Sequence, residues 1–220
     1  MKSSFSVSDT SSGGMQAPTV FIVNGDGRVH DALYERLLAA GYYPSAAASG
    51  EEFLALPRLI APSCLMVELS LPGMSGLQLQ QLLLERAELP IIFMADRTDV
   101  CAVVQAMKAG ACDFLPKPVS NEEALSAVRH AISLSRVAID RLVRVYSLQQ
   151  RYASLSRRER EVMGMVVSGR LNKQVGGELG ISEVTVKAHR GKLMRKMRAT
   201  SFAELVVMAQ NLNGNAATLA

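Results

Sequence analysis

Cysteine is scarce in this chain of 220 residues: Cys64, Cys101 and Cys112 form an odd set with no metal-ligand spacing. That excludes a disulfide framework and a thiolate metal site, and points to a reducing compartment in which buried, inert thiols are expected. No apolar run approaches the roughly 20 residues of a membrane span. The start of the chain also lacks the charged-then-apolar order of a secretory signal. A soluble, cytoplasmic protein with no membrane partner is expected. Gly and Pro are missing from Ser120 to Arg151, so nothing there breaks a helix. What the chain does have is an apolar fraction of 49%, enough for two modest cores. Residues 1–17 and 213–220 read as flexible tails, being small, polar and poor in core-forming side chains.

Acidic residues thin out toward the C-terminus. Residues 134–220 carry 15 Lys+Arg against 6 Asp+Glu, a net of +9, whereas residues 1–133 carry 9 against 14, a net of −5. Cations that displace condensed counterions supply most sequence-independent affinity for DNA, so the C-terminal part has a nucleic-acid footprint. Its local signals describe four short helices. Ser156 and Glu159 form a capping box ahead of Val162, Met163, Val166 and Val167. Asn172 is expected to cap a second helix that Gly180 ends. Ser182 caps a third from Glu183 to about Arg198, with Val186, Leu193, Met197 and His189 on one stripe and Lys187, Arg190, Gly191 and Met194 on the other. Ser201 and Glu204 repeat the capping box for a fourth. His189 is expected to be packed and hydrogen-bonded rather than a metal ligand.

LSRREREVM, GRLNKQVGGELGIS and TVKAHRGKLMRKM resemble the helix-turn-helix of the LuxR, NarL and FixJ regulators. In that family the third helix enters the major groove of double-stranded DNA. The resemblance therefore places Lys187, Arg190 and Lys192 near bases or phosphates, with Lys173, Thr185, Arg195 and Lys196 completing the DNA-binding set. Two positions depart from the pattern: Gly176 stands where alanine is usual, and Gly191 where a larger groove-facing residue is common.

In residues 18–133, apolar runs (TVFIV, a weak strand near Tyr43, CLMVEL, PIIFMA, CDFLP) alternate with amphipathic segments, the first helix spanning about Arg28 to Ala40. Five repeats of strand then helix argue for a parallel sheet covered on both faces, with its pocket beyond the carboxyl ends of the strands. VFIVNGD, MVELSLPGMSG and AMKAGACDFLPKP are similar to the receiver domain of response regulators. The resemblance implies a flavodoxin-like (βα)5 fold of sheet order 2-1-3-4-5. It also implies a pocket of two metal-binding carboxylates, a phosphoacceptor aspartate, a hydroxyl and a lysine. At those positions this chain has Asn24 and Gly25, Glu68, Ala95 and Lys117, with Phe114 at the aromatic switch position. Asp26 is expected to cap the first helix. Mg²⁺ demands oxygen ligands and gives up water reluctantly, so an amide and a hydrogen in place of two carboxylates should bind it poorly. No cofactor and no metal are expected. Glu68 carries its carboxylate one C–C bond further out than aspartate, away from in-line placement. A Glu68–Lys117 ion pair is expected instead, either mimicking the active state or simply inert. The resemblance also implies a cis bond at Lys117–Pro118.

Residues 134–152 read as a helical connector. Val137, Ile139, Leu142, Val143, Tyr146 and Leu148 continue an apolar stripe past the receiver, to be covered by a second protomer or by the chain's own DNA module. The whole is read as α/β: a receiver, a long helix and an all-α four-helix LuxR-type module over residues 153–212. The function expected is a non-enzymatic, dimeric, sequence-specific transcription regulator acting without conventional aspartyl phosphorylation. A sensor kinase or another protein is the partner expected at the receiver. The rivals are an unorthodox phosphoaccepting receiver and an adaptor that has lost DNA binding.

Overall fold

The computed structural model describes residues 17–25, 31–96 and 100–216, and the chain divides into two compact units between Ile139 and Asp140. In the first, five strands (β1 Thr19–Val23, β2 Tyr43–Ala47, β3 Ser63–Glu68, β4 Ile91–Ala95, β5 Asp113–Pro116) alternate with five helices (α1 Asp31–Ala39, α2 Gly50–Ala55, α3 Gly76–Leu82, α4 Val100–Lys108, α5 Asn121–Ala153). The strands pair in parallel in the order β2-β1-β3-β4-β5.

Side chains alternate across a strand, and a parallel sheet is covered on both faces, so alternate residues feed two cores. Phe21, Val23, Leu65, Val67 and Phe93 meet Phe53 of α2, Leu79 of α3 and Ala106 of α4. Val20, Ile22, Cys64, Met66 and Ile92 meet Leu33 and Leu37 of α1 and Ala124, Val128 and Ile132 of α5. At Gly76 an added Cβ would lie 2.5 Å from the Glu68 carbonyl oxygen and 2.9 Å from Phe93 Cε1. Only glycine lets α3 close down on the end of β3. The buried Ser135 hydroxyl donates to the Glu88 carbonyl (2.6 Å) and accepts from the Ser63 amide (3.0 Å), tying α5 to the start of β3 and to the loop before β4. Glu88, itself buried, takes Arg58 Nε at 2.9 Å.

The second unit packs the last turns of α5 with α6 Arg157–Val167, α7 Asn172–Leu179, α8 Glu183–Met197 and α9 Phe202–Ala216. Val162, Met163, Val166, Val175, Val186, Leu193, Met197 and Leu205 form its core, with Leu148 and Tyr152 of α5 against it. No helix among the described residues is long and apolar enough to cross a membrane.

The expected start of the first helix near Arg28 and its expected cap Asp26 lie outside the described residues, the helix being described from Asp31. Other expectations need correction. Cys101 is exposed rather than buried, because the buried side of α4 runs through Ala102, Val103 and Ala106 instead. Burial raises the pKa of the Cys64 and Cys112 thiols, so neither is a ready thiolate. Asn172 does not cap α7; Leu171 holds the cap position and its amide donates to Gln174 Oε1 at 2.8 Å. At α9 the Ser201 hydroxyl accepts from the Glu204 amide (3.1 Å), but the carboxylate turns to the Thr200 amide and hydroxyl at 2.7 and 2.6 Å, giving half a capping box. Residues 213–216, expected in the tail, continue α9, which Leu212 anchors on the core.

Candidate receiver pocket and nucleic-acid interface

The carboxyl ends of β1, β3, β4 and β5 bring together the residues at which the receiver signature departs or persists. Asn24 and Gly25 follow β1, Glu68 ends β3, Ala95 ends β4 and Lys117 follows β5. The Lys117 ammonium donates to Glu68 Oε1, and the Gly25 amide donates to Glu68 Oε2 at 3.3 Å. Both carboxylate oxygens therefore have partners. The Glu68 side chain is 20% exposed, so it sits at the rim of the sheet. The Lys117 amide donates to the Ala95 carbonyl at 2.9 Å, and the Asn24 amide to that of Ala47 at 3.3 Å. Lys117–Pro118 is cis. Phe114, beside Phe93 in the sheet register, packs half-buried against the core that includes Ala95, whose side chain has no hydroxyl.

This donor set does not fit a divalent cation. Mg²⁺ takes an octahedron of oxygens, usually one or two of them carboxylate. Here Glu68 is already bound to Lys117 and Gly25, and no cluster of three His, Cys, Asp or Glu stands among the described residues. A side chain at Gly25 would also crowd the pocket, because its Cβ would lie 3.0 Å from Pro72 Cδ.

In the second unit α7, a three-residue turn and α8 form the helix-turn-helix. Gly180 makes the turn in the left-handed region (φ 66°), which only glycine enters at no cost. Gly176 is buried where α7 meets the turn, and a Cβ there would stand 2.8 Å from the Ile181 carbonyl oxygen. That accounts for glycine in place of alanine: backbone approaches backbone. The Ser182 hydroxyl accepts from the Thr185 amide at 3.1 Å and starts α8.

The cations expected to touch DNA fall into two groups. Lys173, Lys187, Lys192 and Arg195 are exposed, with Lys187 3.1 Å from Glu183 and Arg195 Nε making only a long 3.4 Å contact to the Gly191 carbonyl. Arg190 and Lys196 instead serve the module itself. Arg190 Nη1 donates to Asn172 Oδ1 at 2.7 Å, and its guanidinium lies 5.3 Å from the centre of the Phe202 ring. Lys196 donates to Glu159 Oε2 at 2.7 Å and to the Ser154 carbonyl at 3.1 Å. With Lys196 and the Ser156 cap beside it, the Glu159 carboxyl is held below its ordinary range. Thr185 shares its hydroxyl with Ser182 at 2.8 Å.

Met194 packs on the core rather than on the polar stripe. His189 Nδ1 is buried and has no hydrogen-bond partner among the described residues. The sequence carries no sign that Asn172, expected only as a cap, and Phe202 hold Arg190, nor did it single out Val184 and Ala188, exposed at the start of α8. Their i, i+4 spacing was the available signal.

Comparison with known proteins agrees with this division. Residues 20–129 match the response regulator receiver domain, and residues 153–209 match the bacterial regulatory proteins of the luxR family. The response regulator protein TodT of Pseudomonas putida is 39% identical over 198 residues, 90% of this chain and 87% of that protein. The transcriptional regulatory protein FixJ of Azorhizobium caulinodans is 35% identical over 86% of this chain and 90% of its own length. Among solved structures, the response regulator StyR superposes with a TM-score of 0.76 at 37% identity, covering 88% of this chain and 98% of that one.

Proposed function

This chain belongs to the two-component response regulators that join a receiver domain to a LuxR-type helix-turn-helix, DNA-binding transcription factors rather than enzymes, and we propose that it works without conventional aspartyl phosphorylation. The observation that carries the reading is the Lys117–Glu68 pair. The lysine that would meet an incoming phosphoryl group is committed to the side chain in the acceptor position. Without carboxylates to hold a metal, little offsets the negative charge of a phosphoryl donor. Glu68 thus places a permanent carboxylate where aspartate chemistry would otherwise act.

The test is incubation of the full chain with acetyl phosphate and Mg²⁺, read by intact mass. An unchanged mass is expected; a gain of one phosphate anywhere in the receiver overturns the proposal and favours the phosphoaccepting rival.

The active species in this reading is a homodimer on paired half-sites. Its support is the row of exposed apolar side chains Val137, Leu142, Val143 and Tyr146 on α5, with Ile139 half-buried. Leu148 leaves this set, since it packs on the core of the second unit. A two-fold protein gains both register and avidity on such sites.

A further inference from the structure

We propose that the base-reading surface of α8 is apolar at its centre, formed by Val184 and Ala188 beside the open space at Gly191, and that it recognises the 5-methyl groups of thymines in the major groove. The inference rests on the DNA-binding reading of the second unit. In a helix-turn-helix the second helix lies in the major groove and its N-terminal residues reach the base edges. Positions 184, 188 and 191 follow the i, i+4, i+7 spacing that shares one helix face.

Three observations converge on that face. Val184 is 75% exposed, a β-branched apolar side chain that nothing in the module covers. Ala188 is exposed one turn later, and a Cβ at Gly191 would meet nothing within 4 Å, so the middle of the face is shallow. Of the polar side chains nearby, Thr185 pairs with Ser182 and Arg190 with Asn172 and Phe202 inside the module, whereas Lys187, which also reaches Glu183, and Lys192 are exposed.

Guanine is commonly read by a bidentate Arg at O6 and N7, and adenine by Asn or Gln at N6 and N7, whereas the thymine methyl is read by apolar contact. The N-terminal half of this face carries no amide and no guanidinium; it carries Val184 and Ala188, and the guanidinium on the face belongs to Arg195, one turn beyond Gly191, with its Nε 3.4 Å from the Gly191 carbonyl. Lys187 and Lys192 flank them at the edges of the same face, placed for phosphates. Shallowness at Gly191 brings the helix axis closer to the base edges, which short side chains need if they are to touch a methyl group.

The experiment selects duplexes from a random pool with the full-length protein, then replaces each thymine of an enriched site in turn by deoxyuridine, which removes only the methyl. Wild type is expected to lose about fourfold in affinity at one or two positions of each half-site, the worth of burying one such group. Val184→Ser or Ala188→Ser should be indifferent to uracil at the matching position, with thermal melts showing that each variant folds. Equal binding of thymine and uracil duplexes by wild type would overturn this inference alone, as would uracil sensitivity that persists in both variants. Failure to enrich any duplex would instead sink sequence-specific DNA reading, and this inference with it.

Discussion

Two glycines in the second unit look alike in the sequence and differ in what surrounds them. Gly191 faces open space in mid-helix, so Gly191→Ala should stabilise the unit by about 1 kcal/mol through helix propensity. Gly176 lies against the Ile181 carbonyl, so Gly176→Ala should destabilise, and thermal melts of the two variants should shift in opposite directions. Arg190 is a similar case. Its place on α8 was legible and suggested DNA contact, but its partners Asn172 and Phe202 come from α7 and α9, which no helical periodicity reveals. Arg190→Ala is therefore expected to lower both DNA affinity and unfolding stability. Lys187→Ala should lower only affinity, and flatten its salt dependence by about one unit of log–log slope. In the receiver, the Glu68–Lys117 pair was legible because a carboxylate and an ammonium at adjacent strand ends have few other partners. Glu68→Ala should leave Lys117 without this partner and change dimerisation or DNA affinity; identical values for both would favour an inert pocket.

Elements with strong local signals came through with little change. Four of the five strands and the Ser156 box were written in near-continuous apolar runs and in S-x-x-E, and Ser156→Ala should cost about 1 kcal/mol by removing a cap. The same box carries a pH signature. Glu159 titrates below its ordinary value of 4.5 because Lys196 and Ser156 favour its charged form. Its contribution is therefore present in full above about pH 4.5 and lost as pH falls through the lowered folded value. Lys196→Met should remove part of that acid sensitivity in melts taken between about pH 3 and 6. Weak signals misled. The C-terminus of α9 is rich in Asn and Gly and reads as a tail, yet packing by Leu212 outweighs propensity. Asn172 stands one residue inside its helix, an offset that cap statistics cannot resolve. The exposed stripe of α5 should make Leu142→Glu and Tyr146→Glu weaken self-association, measured by sedimentation.

At the scale of the chain, the two-part organisation was legible because sheet-forming alternation and helix caps occupy separate stretches, and because charge changes sign between them. The boundary was less so: α5 runs without interruption from Asn121 to Ala153, and an unbroken helix carries no punctuation at which to divide domains. The basic balance of residues 134–220 predicts that DNA affinity falls linearly with the logarithm of salt concentration. Under the proposed reading, the ion pair at the mouth of the receiver has a consequence for the cell. A regulator whose lysine is already satisfied has no chemical mark to gain or lose, so its copy number becomes the message. Synthesis and turnover then set promoter occupancy, steeply so if two copies must meet before either holds its site.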